Sequence, residues 1–167
     1  MLSCDYMYLS RSGVLARDEL PQGERDAAIR VIVAKGSKTQ ALFAHVVPQK
    51  GVDPDGYVVE QLRQDILCLG HSRIVVRSDN EPALLRVVEK TVAALRRSAG
   101  VESTSSKGSV PHDPQTNGHA EGAVRLIKGQ FRALLLGLER HIASRIPLDH
   151  PVLSWLAAHA AYFRPVR

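Results

Sequence analysis

The stretch His112-Asp-Pro-Gln-Thr-Asn-Gly-His-Ala-Glu121 leads a loop of small and polar residues directly into a helix. From Ala120 onward, apolar residues recur at three- and four-residue spacing, which predicts one long amphipathic helix beginning near Asn117 or Gly118. Glu121 then falls in the first turn and borders the apolar face. This position suits either a group that complements the helix dipole or a functional carboxylate.

Two aspartates occupy comparable positions earlier in the chain. Asp79 follows the strand-like residues 72–77, at a strand-to-helix junction where α/β sheets place functional groups. Asp5 lies within residues 1–9, a predicted strand in which a charged side chain is unexpected. Taken singly, Asp79 is better explained as a helix N-cap and Glu121 as a charge that complements the helix dipole, while Asp5 is either a functional group or an edge-strand charge. Because all three acidic residues belong to elements that can pack side by side, we expect them to form one site.

The remaining pattern predicts an α/β fold. Residues 30–34 and 41–47 are predicted to form a hairpin. Residues 11–27, between the first strand and this hairpin, are predicted to be a long exposed loop. Helices are predicted over residues 57–69, 81–98 and 153–162, and a short fifth strand over residues 101–104. The element order βββαβαβαα predicts a five-stranded mixed sheet with helices on both faces.

Length and composition favour one soluble-type domain spanning residues 1–167. The formal net charge is +5, from 22 Lys and Arg against 17 Asp and Glu, which favours a polyanionic partner only weakly. No apolar run reaches the ~20 residues that cross a bilayer, so no membrane partner is expected. The two cysteines, Cys4 and Cys68, are far apart and belong to no Cys/His cluster, so no structural zinc site is predicted.

The motifs around the three carboxylates resemble those of retroviral and retrotransposon integrases. Residues 114–121 match the family pattern Pro-Gln-x-x-Gly-x-x-Glu, and Ser78-Asp79-Asn80 is similar to the second acidic motif, which also follows a strand. Cys4-Asp5-Tyr6 resembles the first acidic motif, in strand one. The chain departs from the family in a longer segment between Asp79 and Glu121, and in Glu81, which stands where many relatives have glycine.

The resemblance implies an RNase H-like catalytic core with Asp5, Asp79 and Glu121 as its D,D,E triad. The triad would bind two Mg²⁺ or Mn²⁺ ions, with Asp5 bridging both, which is how two-metal enzymes exchange phosphodiester bonds. The implied activity is DNA integration by a retroelement polynucleotidyl transferase. Water first cleaves the DNA 3′ end, an endonuclease step, and the freed 3′-hydroxyl then attacks target DNA in strand transfer.

A basic stripe on the long helix favours contact with nucleic acid. Glu121, Arg125, Lys128 and Arg132 recur at helical spacing beside the apolar face, so the three cations would bind phosphates near the reacting bond. The alternative is a solvated face on which Arg125 pairs with Glu121. The resemblance extends the predicted DNA contacts to three loop residues, which are Gln115, Asn117 and His112.

Further expectations follow from the resemblance. The partners would be the DNA ends of the element, target DNA and further copies of the chain in a dimer or larger assembly, with action in the nucleus. The chain is expected to be the catalytic core alone, without the N-terminal zinc module and the C-terminal DNA-binding domain. Two other functions stay open: an inactive or domesticated core that only binds DNA or self-associates, and another RNase H-like nuclease or DDE transposase.

Overall fold

A computed structural model describes residues 1–10, 13–15, 21–24, 27–108 and 114–162, with residues 14, 15 and 114–117 described by their backbone only. The strands are β1 (Leu2–Ser10), β2 (Gly13–Leu15), β3 (Ile29–Gly36), β4 (Leu42–Val47), β5 (Arg73–Ser78) and β6 (Ser103–Gly108). The helices are α1 (Tyr57–Cys68), α2 (Pro82–Leu95), α3 (Pro114–Ile142) and α4 (Val152–Tyr162), with a 3-10 turn at Gln22–Glu24. None of the helices in this described part is long and apolar enough to cross a bilayer.

The predicted α/β fold with a mixed sheet is confirmed. Five strands lie in the order β4-β3-β1-β5-β6, with β3 antiparallel to β1 and β4, and β5 parallel to β1 and β6. β1 is therefore central. Its first residues pair with β5 only as far as Cys4, whereas its far end, from Tyr8 to Ser10, pairs with β2.

The strand β2 corrects the expectation that residues 11–27 form only a loop. β1 is nine residues long and continues past the end of β5. The second half of β1 therefore has no β5 backbone to pair with on that edge. The three residues of β2 supply hydrogen-bond partners there, because buried backbone groups are costly to leave unpaired. A gap between β5 and β2 remains on this edge of β1, and Asp5 lies in it.

Each face of the sheet has its own core. Alternate residues of β1 point to opposite faces: Leu2, Cys4, Tyr6 and Tyr8 pack with α1 and α2, while Met7 and Leu9 pack with α3 and α4. The largest buried groups on the α3 side include Phe131 and Ile127. By this alternation the Asp5 side chain points to the face that α3 covers.

Three predicted boundaries differ from the structure. α3 begins at Pro114 rather than near residue 117, and proline is favoured at a first helical position because its φ is already helical and its missing N–H has no partner there. α2 ends at Leu95, not at residue 98. β6 lies at Ser103–Gly108 rather than at residues 101–104, because it follows β5 in register from Arg73 to Ser78.

Candidate active site

The register of β1 and β5 brings the two aspartates together. Cys4 is the Cα partner of Ser78 in the last pair of the parallel ladder, and Asp5 and Asp79 are the next residue on each strand. Neighbouring strands lie ~4.8 Å apart, so the two backbones are adjacent at the carboxyl end of β5. Asp5 is half-buried and Asp79 is exposed. The Asp5 carboxylate accepts a hydrogen bond from the Tyr6 N–H at 2.7 Å. The Asp79 carboxylate accepts one from the Asn80 N–H at 2.6 Å.

Helix α3 brings Glu121 to the same place. Ala120 and Ala123 are buried on either side of Glu121, and the helix packs along β1 and β3. The Glu121 side chain is exposed, at the margin of this contact. The helix thus carries the third carboxylate to the face of the sheet on which Asp5 points.

Burial and the charges of neighbouring acidic groups raise the pKa of Asp5. Burial is the main cause that raises it from 3.8 to about 6, and the hydrogen bond from the Tyr6 N–H opposes the rise. The negative charges of Asp79, Glu121 and Glu81 each raise it further. The charges of the three other acidic groups therefore reach Asp5 and add to the effect of its burial.

None of the three purely structural explanations accounts for these residues. β1 is a central strand, so Asp5 is not an edge charge. The N-cap position of α2 is Glu81, two residues after Asp79. Glu121 is the eighth residue of α3, not in its first turn as predicted, and the helix dipole acts mainly within that turn.

The donor chemistry suits a hard divalent cation, although the carboxylates do not form a closed ligand cage. Oxygen ligands are what Mg²⁺ and Mn²⁺ prefer, and a cation would offset the burial and the neighbouring negative charges that raise the pKa of Asp5. Among the described residues, no three His, Cys, Asp or Glu side chains lie close enough together to hold a metal ion. The role of Asp5, Asp79 and Glu121 as a metal-binding triad therefore stays a prediction.

An ion pair beside the site was not predicted from sequence. Lys50, in the segment after β4, pairs with Glu81 at the start of α2, and both side chains are largely buried. The Lys50 ammonium also lies 5.8 Å from the ring centre of Tyr6 and 5.9 Å from that of Tyr8. The sequence singled out Glu81 only as a departure from the family pattern. Its pairing depends on a long-range approach of the 48–53 segment, for which the sequence carries no local signal.

The end of β6 is shaped around Asn80. A Cβ atom at Gly108 would lie 2.5 Å from Oδ1 of Asn80, so only glycine fits without moving that side chain. Gly108 is the Cα partner of Ser78, which puts this contact one residue from Asp79. The strand end therefore fixes the space available to the Asp79–Asn80 segment.

The predicted DNA-contacting residues fall into two groups. Arg125 and Arg132 are exposed and Lys128 is half-buried, on the flank of α3 that also carries Glu121. The structure describes only the backbone of Gln115 and Asn117, in the first turn of α3, and His112 lies outside the described residues. All six remain predicted contacts.

A cavity of about 770 Å³ lies toward the other end of α3, where Leu9 and Phe131 form part of its wall. Asp5, Asp79 and Glu121 do not line this cavity, so it is separate from the three carboxylates.

The strand order and the placement of the helices define a mixed α/β domain with an RNase H-like fold. No family model and no curated protein matches the sequence. Among solved structures, the chain is similar to the catalytic core domain of BIV integrase, with a TM-score of 0.51, 17% identity, and coverage of 96% of this chain and 79% of that one.

A second match is a chain in the simian T-cell lymphotropic virus intasome in complex with PP2A regulatory subunit B56 gamma. Its TM-score is 0.62 at 13% identity, and the match covers 96% of this chain but 46% of that one. These likenesses show the fold alone. The chain has the fold of a retroviral integrase catalytic core, as its motifs predicted.

Proposed function

We propose that this chain is the catalytic core of a retroelement integrase, which performs metal-dependent DNA 3′-end processing and strand transfer. The proposal is supported by the strand register that makes Asp5 and Asp79 neighbours, and by the charge of Glu121 acting on Asp5, on an integrase-core fold. The structural explanations for the three residues fail individually, which favours a shared chemical role. DNA ends, target DNA and further copies of the chain are the proposed partners, and the proposed location is the nucleus.

Asp5, Asp79 and Glu121 would hold the metal ions, with Asp5 between the other two. Bound there, two Mg²⁺ or Mn²⁺ ions supply the means to activate an attacking oxygen and stabilise a leaving one in phosphoryl transfer. The half-buried Asp5, fixed by the Tyr6 N–H, orients the site, while the exposed Asp79 and Glu121 remain accessible to a DNA backbone. Arg125, Lys128 and Arg132 extend from Glu121 along α3 and bind adjacent phosphates.

The proposal is tested by incubating labelled DNA ends with the chain and Mg²⁺ or Mn²⁺, and resolving nicked and strand-transfer products. We expect Glu121→Gln to abolish both products, because it removes a charge without changing side-chain size. Glu89→Gln is the matched control, since Glu89 is exposed on α2, on the other side of the sheet. DNA binding without cleavage, unchanged in Glu121→Gln, would instead assign the chain to the binding modules.

A further inference from the structure

The two faces of β5 and β6 are covered unequally. α2 packs against both strands on one face, where the Thr104 hydroxyl donates a hydrogen bond to the Val92 carbonyl at 3.4 Å. α3 packs against β1, β2 and β3, and α4 packs against β4. Among the described helices, none packs extensively on the other face of β5 and β6, although the start of α3 comes near it at Arg77, whose charge contributes, after burial, to lowering the pKa of His119.

This less covered face, named here the open face, is made of alternate residues of the two strands. Its six members, paired across the ladder, are Arg73 with Ser103, Val75 with Ser105, and Arg77 with Lys107. Arg77 and Val75 are half-buried and the other four are exposed. The open face therefore presents three cations and two hydroxyls, and none of its six side chains is acidic.

We propose that the open face binds the phosphate backbone of DNA, as a second nucleic-acid surface besides the α3 stripe. Arg73 and Arg77 are four residues apart, which is ~13 Å along a strand. This distance corresponds to about four nucleotides of duplex axis at ~3.4 Å each. Arg77 and Lys107 are Cα partners on neighbouring strands, which places two cationic residues at the same level of the sheet. Serine hydroxyls are common phosphate donors as well.

Two of the three cations on the open face, Arg73 and Lys107, are accessible to such a ligand. Lys107 is exposed near the end of the edge strand β6. Arg73 pairs with Glu102 at 3.2 Å, but the two side chains are 82% and 63% exposed. Exposed pairs of this kind contribute little, so a phosphate can replace the carboxylate at small cost.

The position of the open face suits a reaction that needs two DNA segments, so this inference rests on the proposed function. Arg77 lies in β5 two residues before Asp79, which follows the end of the strand, and the open face extends back along β5 from there. The α3 stripe runs the other way, toward Phe131, which lies beside Leu9 on the part of β1 beyond β5. The two basic surfaces thus extend in opposite directions from the carboxylates, and each can hold one DNA segment.

The test measures the affinity for a short labelled DNA duplex at several salt concentrations. The double variant Arg73→Gln/Lys107→Gln removes two cations from the open face, and Arg86→Gln/Lys90→Gln removes two exposed cations from α2 as the matched control. The slope of log affinity against log salt is negative, and each phosphate contact contributes ~0.9 to its magnitude. We expect the open-face variant to reduce that magnitude by about 1.8, and the control variant to leave it unchanged.

A second measurement uses the unaltered chain. Lysine acetylation followed by mass spectrometry should show Lys107 protected by duplex DNA and Lys90 not protected. An unchanged salt slope in the open-face variant, or an equal fall in the control, would overturn the inference and leave Lys107 as a charge that protects a free sheet edge. Arg125→Gln/Lys128→Gln separates the two proposals: a slope of reduced magnitude in this variant alone keeps the α3 stripe of the proposed function and rejects the open face.

Discussion

Replacing Asp5 by asparagine should stabilise the metal-free protein while removing its activity. The pKa of Asp5 is raised from 3.8 to about 6, chiefly by burial and then by the charges of Asp79 and Glu121. The folded state therefore binds a proton more tightly than the unfolded state. Stability from this group is complete below pH ~4 and is lost as the pH rises through about 6.

The size of the effect follows from that difference. At ~1.4 kcal/mol for each unit of pKa, the ionised Asp5 costs at most about 3 kcal/mol at pH 7.5, and solvent reaching this half-buried group reduces the figure. Asp5→Asn removes the charge and keeps an oxygen for the Tyr6 N–H. We therefore expect a higher unfolding temperature at pH 7.5, by ~2–4 °C for each kcal/mol gained.

The assay is thermal unfolding with a chelator present, from pH 4 to pH 8, for the unaltered chain and the variant. The gain from Asp5→Asn should be small at pH 4 and should grow through pH 6. Asp55→Asn, at an exposed turn position, is the matched control and should give no such trend. A variant that is less stable at pH 7.5, or a gain that does not depend on pH, would refute the electrostatic reasoning.

Three further substitutions test the surroundings of the site. Lys50→Met leaves the largely buried Glu81 carboxylate without its lysine and should lower the free energy of unfolding by ~1–3 kcal/mol in urea titrations. Adding Glu81→Gln should restore most of that loss, and equal losses in the single and double variants would contradict the pairing. Gly108→Ala pushes against Asn80 and should slow end processing up to ~100-fold, with less than ~1 kcal/mol lost in stability, so a normal rate would show that this contact does not position the site. Phe131→Ala empties a fully buried position under α3 and should cost ~3–5 kcal/mol in denaturant unfolding, whereas a loss below ~1 kcal/mol would mean that α3 is anchored elsewhere.

The fold was predictable wherever burial leaves a pattern in the sequence. The helices α1, α2 and α4 carry regular apolar spacing because each buries one side against the sheet, whereas β3 and β4 are largely apolar runs because both faces of the sheet are covered there. β6 carries no such pattern: its six residues are Ser, Thr, Lys and Gly, and its position is set by hydrogen bonding to β5. β2 is only three residues long and pairs with the part of β1 that extends beyond β5. No local sequence pattern reveals this pairing.

The candidate site shows the same division. Asp5, Asp79 and Glu121 stood out because each was an acidic residue at an unusual place in a predictable element. Their convergence depends on strand register, which places Asp5 one residue past the Cys4–Ser78 pair. Lys50 could not be predicted, because it reaches Glu81 from a turn segment distant in sequence. The open face was also hidden, since which face a helix leaves uncovered depends on the order of the strands.

The central claim is that Asp5, Asp79 and Glu121 act as one unit on DNA. The most direct test compares Mn²⁺-dependent nicking of a DNA end by the single variants Asp5→Asn, Asp79→Asn and Glu121→Gln with nicking by the triple variant. If the three carboxylates act as one unit, removing any one of them disables the whole unit. Each single variant should therefore lose as much nicking activity as the triple variant. Substantial nicking in any single variant, or losses that multiply from one variant to the next, would contradict the account.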